Sequence, residues 1–205
     1  LDRPSHRAPR LSGLTPSATM TPMYGMVNQA IEHMVREQHG EATWERIKAR
    51  AGCDVAHFVR MDPYPDELTY GLVGAAVAEL GVPAPDLLRA FGGYWVGYAQ
   101  RSGYADFFRA AKGYADFVAQ LDAMHVRLQL SFTGLKAPQF SCTVETPERL
   151  RVVYRSTRQG LGPMVHGLLE GLGPTFGVVA RVEHLGSSPA GAPEVEERFL
   201  VTLGT

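Results

Sequence analysis

The chain has 205 residues, 45% of them hydrophobic, which suits one domain with an appendage and is enough to bury a sizeable core. Its 20 basic side chains are balanced by 21 acidic ones, so charge gives no reason to expect a nucleic-acid partner. No apolar run approaches the ~18 residues a membrane-spanning helix needs. Two cysteines, Cys53 and Cys142, make neither a disulfide framework nor a four-cysteine zinc site, which points to a reducing, cytoplasmic setting.

Residues 1–22 read as a flexible tail. Pro4, Pro9, Pro16 and Pro22 interrupt any helix, Arg3, Arg7 and Arg10 punctuate a polar stretch, and there is no apolar core of a secretory signal. From Met23 the period turns helical. Val27, Ile31 and Met34 form one stripe, with Gly40 placed to end it. Ala42–Ala51 fits a second helix carrying Trp44, Ile47 and Ala51 on one face. Cys53–Pro65 reads as a connection. Asp66 is a candidate cap for a helix running to Leu80, which Gly81 and Pro83 stop. Pro85 suits the first turn of the next helix, to about Gln100. A break at Ser102–Gly103, a short helix over Ala105–Ala111 and a long one over Tyr114–Phe132 follow.

From Phe140 the character changes. Phe140–Glu145 and Leu150–Tyr154 read as strands joined by a turn. A helix is expected at Gly162–Gly171, then a strand pair at Phe176–Leu185 and Val195–Leu203. Helices first, then strands around one helix, make the class α+β, with a helical subdomain followed by a mixed one holding a roughly four-stranded antiparallel sheet.

The chain has no phosphate-binding loop, no G-x-G-x-x-G, no H-E-x-x-H and no G-x-S-x-G, so nothing argues for a hydrolase or a nucleotide enzyme. No histidine pair has zinc spacing. His125 stands out. On a helix it shares a stripe with Val118, Leu121, Leu128 and Phe132, an imidazole amid an apolar face. Two readings are open: a core histidine hydrogen-bonded to a backbone carbonyl, or an axial haem ligand. The second cluster is Tyr154, Ser156 and Arg158, which strand alternation puts on one side. A phenol, a hydroxyl and a guanidinium there suit a carboxylate, which the arginine fork can take bidentately. An ordinary edge strand with alternating polar residues is the bland alternative.

With Met23–Tyr24–Gly25–Met26–Val27–Asn28 at the start, His125 in its helix and Tyr-x-Ser-x-Arg at 154–158, the chain resembles the haem-nitric oxide/oxygen binding (H-NOX) family, related to the haem domain of soluble guanylate cyclase. Further matches are Thr69–Tyr70, Phe91–Gly92, Tyr94–Trp95–Val96, Ser102–Gly103–Tyr104 and Ala137–Pro138. The resemblance runs from Met23 to about Thr205. It implies haem b held between the subdomains, with His125 as the iron ligand and Tyr154, Ser156 and Arg158 on the propionates. Pro138 would press on the macrocycle, and Val27, Trp95, Met164 and Leu168 would line the distal or surrounding pocket.

Oxygen-binding members of the family place a distal tyrosine where this chain has Met164, which has no donor. The resemblance therefore implies a sensor of nitric oxide, with carbon monoxide also bound and oxygen not held stably. Tyr24, Tyr94 and Tyr98 are the candidates for an inward-turned donor. The expected partner is a histidine kinase or a cyclic-dinucleotide enzyme rather than a nucleic acid. The competing classes are a peroxidase-type haem enzyme, which needs a distal acid–base pair, and a haem-free structural module.

Overall fold

Glycines and prolines set the boundaries of the helical half. The computed structural model describes residues 22–131, 134–189 and 192–204. α1 (Gly25–His39), α2 (Glu41–Ala51), α3 (Asp66–Leu80) and α4 (Ala84–Ala99) follow the apolar stripes of the sequence. Gly52 and Gly81 close α2 and α3 in the left-handed conformation, at φ 65° and 66°, where a side chain would be strained. The inward faces carry Ile31, Met34 and Val35 on α1, Trp44 and Ile47 on α2, Leu72 on α3 and Phe91 on α4, which form one apolar cluster.

Two local expectations are corrected. The connection over Cys53–Pro65 contains a strand, β2 (Pro63–Pro65), paired antiparallel with β1 (Pro22–Tyr24) through Met23 and Tyr64. Three residues flanked by proline are too few to show a period. Nor does the Asp66 side chain cap α3. Pro65 takes the cap position, no side chain bonds the helix end, and the Asp66 carboxylate is spent elsewhere.

The break at Ser102–Gly103 is present. Gln100–Tyr104 forms a π-type turn with Gly103 at φ 93°, followed by α5 (Ala105–Ala110) and α6 (Tyr114–Ser131). Phe132 and the tail expected over residues 1–22 lie outside the described residues, except Pro22, which belongs to β1.

The second half is a four-stranded antiparallel sheet in the order β3-β4-β6-β5, as the α+β class requires. Its strands are β3 (Gln139–Thr146), β4 (Arg149–Ser156), β5 (Val179–Ser187) and β6 (Val195–Gly204). β5 starts later than expected because α7 (Gly162–Thr175) is longer. A tight turn follows, in which the Phe176 and Gly177 N–H groups donate to the Gly173 and Pro174 carbonyls. One sheet face carries Leu150, Val152, Phe199 and Val201, all fully buried with Leu169 and Leu172 of α7 and Val118 of α6. Burial of that face is the main favourable term holding the half together.

α4 and α7 cross where the two halves meet. A Cβ on Gly92 would lie 2.0 Å from the Met164 carbonyl oxygen, and one on Gly167 would lie 1.9 Å from that of Arg89. Only glycine permits this approach. Among the described residues, no single helix is long and apolar enough to cross a membrane.

Candidate functional site

The two apolar clusters do not close on each other. Between them lies a cavity of about 250 Å³. The helical half supplies Val27 from α1, Tyr70 and Val73 from α3, and Phe91 and Trp95 from α4. The other half supplies His125 from α6, Pro138, Tyr154 and Ser156 from β4, Arg158, and Met164 and Leu168 from α7. Every candidate cofactor-binding residue of the sequence therefore lines one space.

α6 reaches the cavity with its apolar stripe. Val118 and Leu121 are buried in the core, and one turn later His125 points into the open space. Its ring lies parallel to that of Phe140, at 5.6 Å and 22°. The Asp122 carboxylate accepts the Phe140 N–H at 3.1 Å and pins this turn of α6 to β3. The Nδ1 atom is sealed from solvent and has no hydrogen-bond partner. Burial pushes the imidazole pKa down to about 4, against the weaker opposing pull of the Asp122 charge, so the ring is neutral at ordinary pH. A neutral imidazole keeps a lone pair to give. The backbone bond that would make His125 an ordinary core histidine is not formed at Nδ1.

One end of the cavity is polar. Tyr154, Ser156 and Arg158 are all buried there. Burial raises the Tyr154 phenol pKa, and a hydrogen bond with Ser156 partly offsets this. The Arg158 N–H donates to Ser156 Oγ at 3.0 Å. The guanidinium fork is already engaged. Nε reaches Asp66 Oδ2 at 3.0 Å, Nη2 reaches Oδ1 at 3.3 Å, and Nη1 donates to the Lys136 carbonyl at 3.1 Å. The bidentate carboxylate expected for Arg158 is thus an internal one from the opposite half. A guanidinium buried this deeply needs a permanent counter-charge. The Lys136 bond also holds the segment before β3, and with it Pro138, at the cavity wall.

The other end is apolar. Val27, Trp95, Met164 and Leu168 meet there across the α4–α7 crossing. Tyr24, Tyr94 and Tyr98, the candidate donors, are not among the lining residues. Tyr98 stacks beside Tyr94 and lies edge-on to His33. The lining tyrosines are Tyr70, Tyr104 and Tyr154. In the sequence Tyr70 and Tyr104 stand only as family matches, and Asp66 only as a candidate cap. No local period marks Asp66, because its partner is 92 residues away.

This donor set fits a broad apolar group that carries carboxylates at one edge and a metal needing one nitrogen ligand. An imidazole with an orphaned nitrogen, the apolar walls and the polar end are all present.

Comparison with known proteins decides the family. A model described as haem-NO-binding matches residues 24–184. The chain belongs to the haem-NO-binding (H-NOX) family. This is a haem-binding sensor domain, which agrees with the cavity chemistry. The chain is 25% identical to soluble guanylate cyclase 89Db of Drosophila melanogaster over 75% of its own length. It is 28% identical to soluble guanylate cyclase gcy-35 of Caenorhabditis elegans over 72%. It spans only 23% and 22% of those proteins, so their cyclase activity is not carried over with the match. Among solved structures, an H-NOX protein from S. oneidensis in the Fe(II)NO ligation state has a TM-score of 0.79 at 20% identity, covering 89% of this chain and all of that one. A Cs H-NOX mutant has a TM-score of 0.80 at 15% identity, covering 89% of this chain and 97% of that one. At these identities the structures establish the shared fold.

Proposed function

We propose that this H-NOX chain is a gas sensor that holds haem b non-covalently. In this reading it takes nitric oxide and carbon monoxide, forms no air-stable oxygen adduct, and reports its state to a separate partner, a histidine kinase or a cyclic-dinucleotide enzyme. The observation that carries the reading is the neutral imidazole of His125, with its buried Nδ1 unpartnered, facing an apolar cavity with one polar end. Ferrous haem supplies, when bound, an iron centre that accepts a diatomic gas.

The chain's own residues do the rest. His125 offers the nitrogen lone pair. Tyr154, Ser156 and the Arg158–Asp66 pair make the polar end that would receive the propionates, and Pro138 would press on the macrocycle. Val27, Trp95, Met164 and Leu168 exclude water from the gas side. They present a thioether and aliphatic carbon rather than a hydroxyl, and Trp95 brings the only N–H among them. Oxygen needs a donor at its outer atom, and nitric oxide does not.

Output is assigned to α6. Its first turns are core, but Ala123, Val126, Arg127, Gln129 and Leu130 are exposed. The C-terminal half of the helix is therefore held mainly through Asp122, His125 and the cavity contents, so a change at His125 is felt there first.

A peroxidase-type enzyme would need a second histidine facing the gas side. Among the described residues His125 is the only histidine lining the cavity. The deciding experiment is an absorption spectrum of the reduced protein with nitric oxide, carbon monoxide and air. Shifts with the first two gases and none that persists in air are expected. Absence of a Soret band would leave the haem-free module, and a persistent oxygen spectrum would overturn the selectivity.

A further inference from the structure

The hydroxyl of half-buried Tyr70 is a sealed polar group that the gas-sensing reading leaves unused. Tyr70 sits on α3, in the helical half, and lines the cavity. Its hydroxyl is sealed from solvent and has no hydrogen-bond partner. The neighbouring Thr69 shows the contrast, since its hydroxyl donates to Asn28 Oδ1 at 2.7 Å. A buried hydroxyl that has lost water and gained nothing is destabilising, and such groups call for an explanation.

The surroundings of the phenol say what it waits for. Asp66 lies one turn before it on α3, and the charges of Asp66, Arg158 and Glu67 together with the Tyr154 phenol act on it, which places it toward the polar end of the cavity. Burial, reinforced by Asp66, pushes its pKa up to about 12, so it stays protonated and can only donate to an anion. The nearest internal carboxylate is already taken, with each Asp66 oxygen paired to a different nitrogen of Arg158. An incoming carboxylate would meet the Asp66 charge. A neutral donor beside that charge lowers the repulsion without upsetting the ion pair.

We propose that Tyr70 is a further anchor of the haem carboxylates, donating its phenol hydrogen to a propionate from the helical half of the chain. The proposal rests on the haem-binding reading above. It makes the propionates a bridge, received by β4 and its following loop on one side and by α3 on the other.

The test uses the haem-loaded chain and its Tyr70→Phe variant, with haem loss followed by transfer to excess apomyoglobin. A hydrogen bond to a charged group predicts loss about tenfold faster in the variant. Both proteins are then loaded with the dimethyl ester of the same iron porphyrin, whose carboxylates are blocked. With the ester the two should release at equal rates, whereas a merely structural role for Tyr70 would speed both cofactors alike. Equal loss of ordinary haem from the two proteins would overturn the proposal. So would a variant that retains haem but changes its spectrum in air, because that would move the hydroxyl to the gas side. A parent chain that takes up no haem would overturn the underlying reading as well, and is distinguished by its missing Soret band.

Discussion

The polar and apolar ends of the cavity both join the helical half to the strand half, but by different physics. At the polar end Asp66 and Arg158, with side chains 6% and 7% exposed, make a two-point ion pair across the boundary. At the apolar end α4 and α7 touch through Gly92 and Gly167, with no room for a methyl group. The first junction depends on charge and the second on shape. A buried charge is tolerable only while its partner remains, whereas a close backbone contact fails only when volume is added. The two ends are therefore broken by opposite kinds of substitution. His125 faces the cavity that both junctions border.

The largest effect is expected at that residue. In His125→Gly, iron ligation should be lost, and added imidazole should restore it by filling the space the side chain leaves. An unchanged Soret spectrum in the variant would remove His125 as the ligand.

Next comes the charged junction. Asp66→Ala leaves the Arg158 guanidinium buried without its counter-charge, a change that costs about 3–5 kcal/mol. Urea denaturation of the haem-loaded protein measures it. A loss under 1 kcal/mol would mean that water or the Lys136 carbonyl already compensates Arg158. The shape junction should be weaker. Gly167→Ala puts a methyl into the Arg89 carbonyl, and the resulting backbone shift costs about 1–3 kcal/mol. Its midpoint in urea should fall less than that of Asp66→Ala. The reverse order would show that shape, not charge, holds the halves together.

The same contrast explains what could be read from the residues alone. The helices of the first half follow single apolar stripes, and the strands follow alternation, so fold class and the two strand pairs were legible, while the β4–β6 pairing that joins them was not. His125 was legible because an imidazole interrupts an otherwise apolar row on α6. Tyr154 and Ser156 were legible because alternation groups them at the end of β4, and Arg158 follows two residues on, just past the strand. Asp66 and Tyr70 were not. Asp66 pairs with Arg158 in the loop after β4 and Tyr70 faces the cavity, and no local spacing encodes a partner or a cavity on another element. Asp66 also looked like a helix cap, a role its position allows but its ion pair overrides. The short ribbon of β1 and β2 escaped for a plainer reason, since three residues and two prolines carry no period.

The smallest effect, and the one that most sharpens the comparison, is expected at the apolar end. Met164 lies on α7 beside the crossing, half-buried, with its backbone fixed by Gly92. Met164→Tyr adds no charge and leaves both junctions intact, and its bulkier ring has the cavity to extend into, so the stability loss should stay near the lower end of the ~1–3 kcal/mol typical of overpacked sites. Its effect should instead be chemical. The new phenol brings a donor to a wall that lacks a hydroxyl, and one added hydrogen bond is worth about 1 kcal/mol, or several-fold in oxygen affinity. The measurement is the fraction of reduced protein that keeps an oxygen spectrum in air, read beside nitric oxide binding. Nitric oxide affinity should hardly move, because that ligand does not depend on a donor. If both gases responded equally, the side chain would be acting through the volume of the pocket, and the absence of a donor would no longer explain the choice of gas.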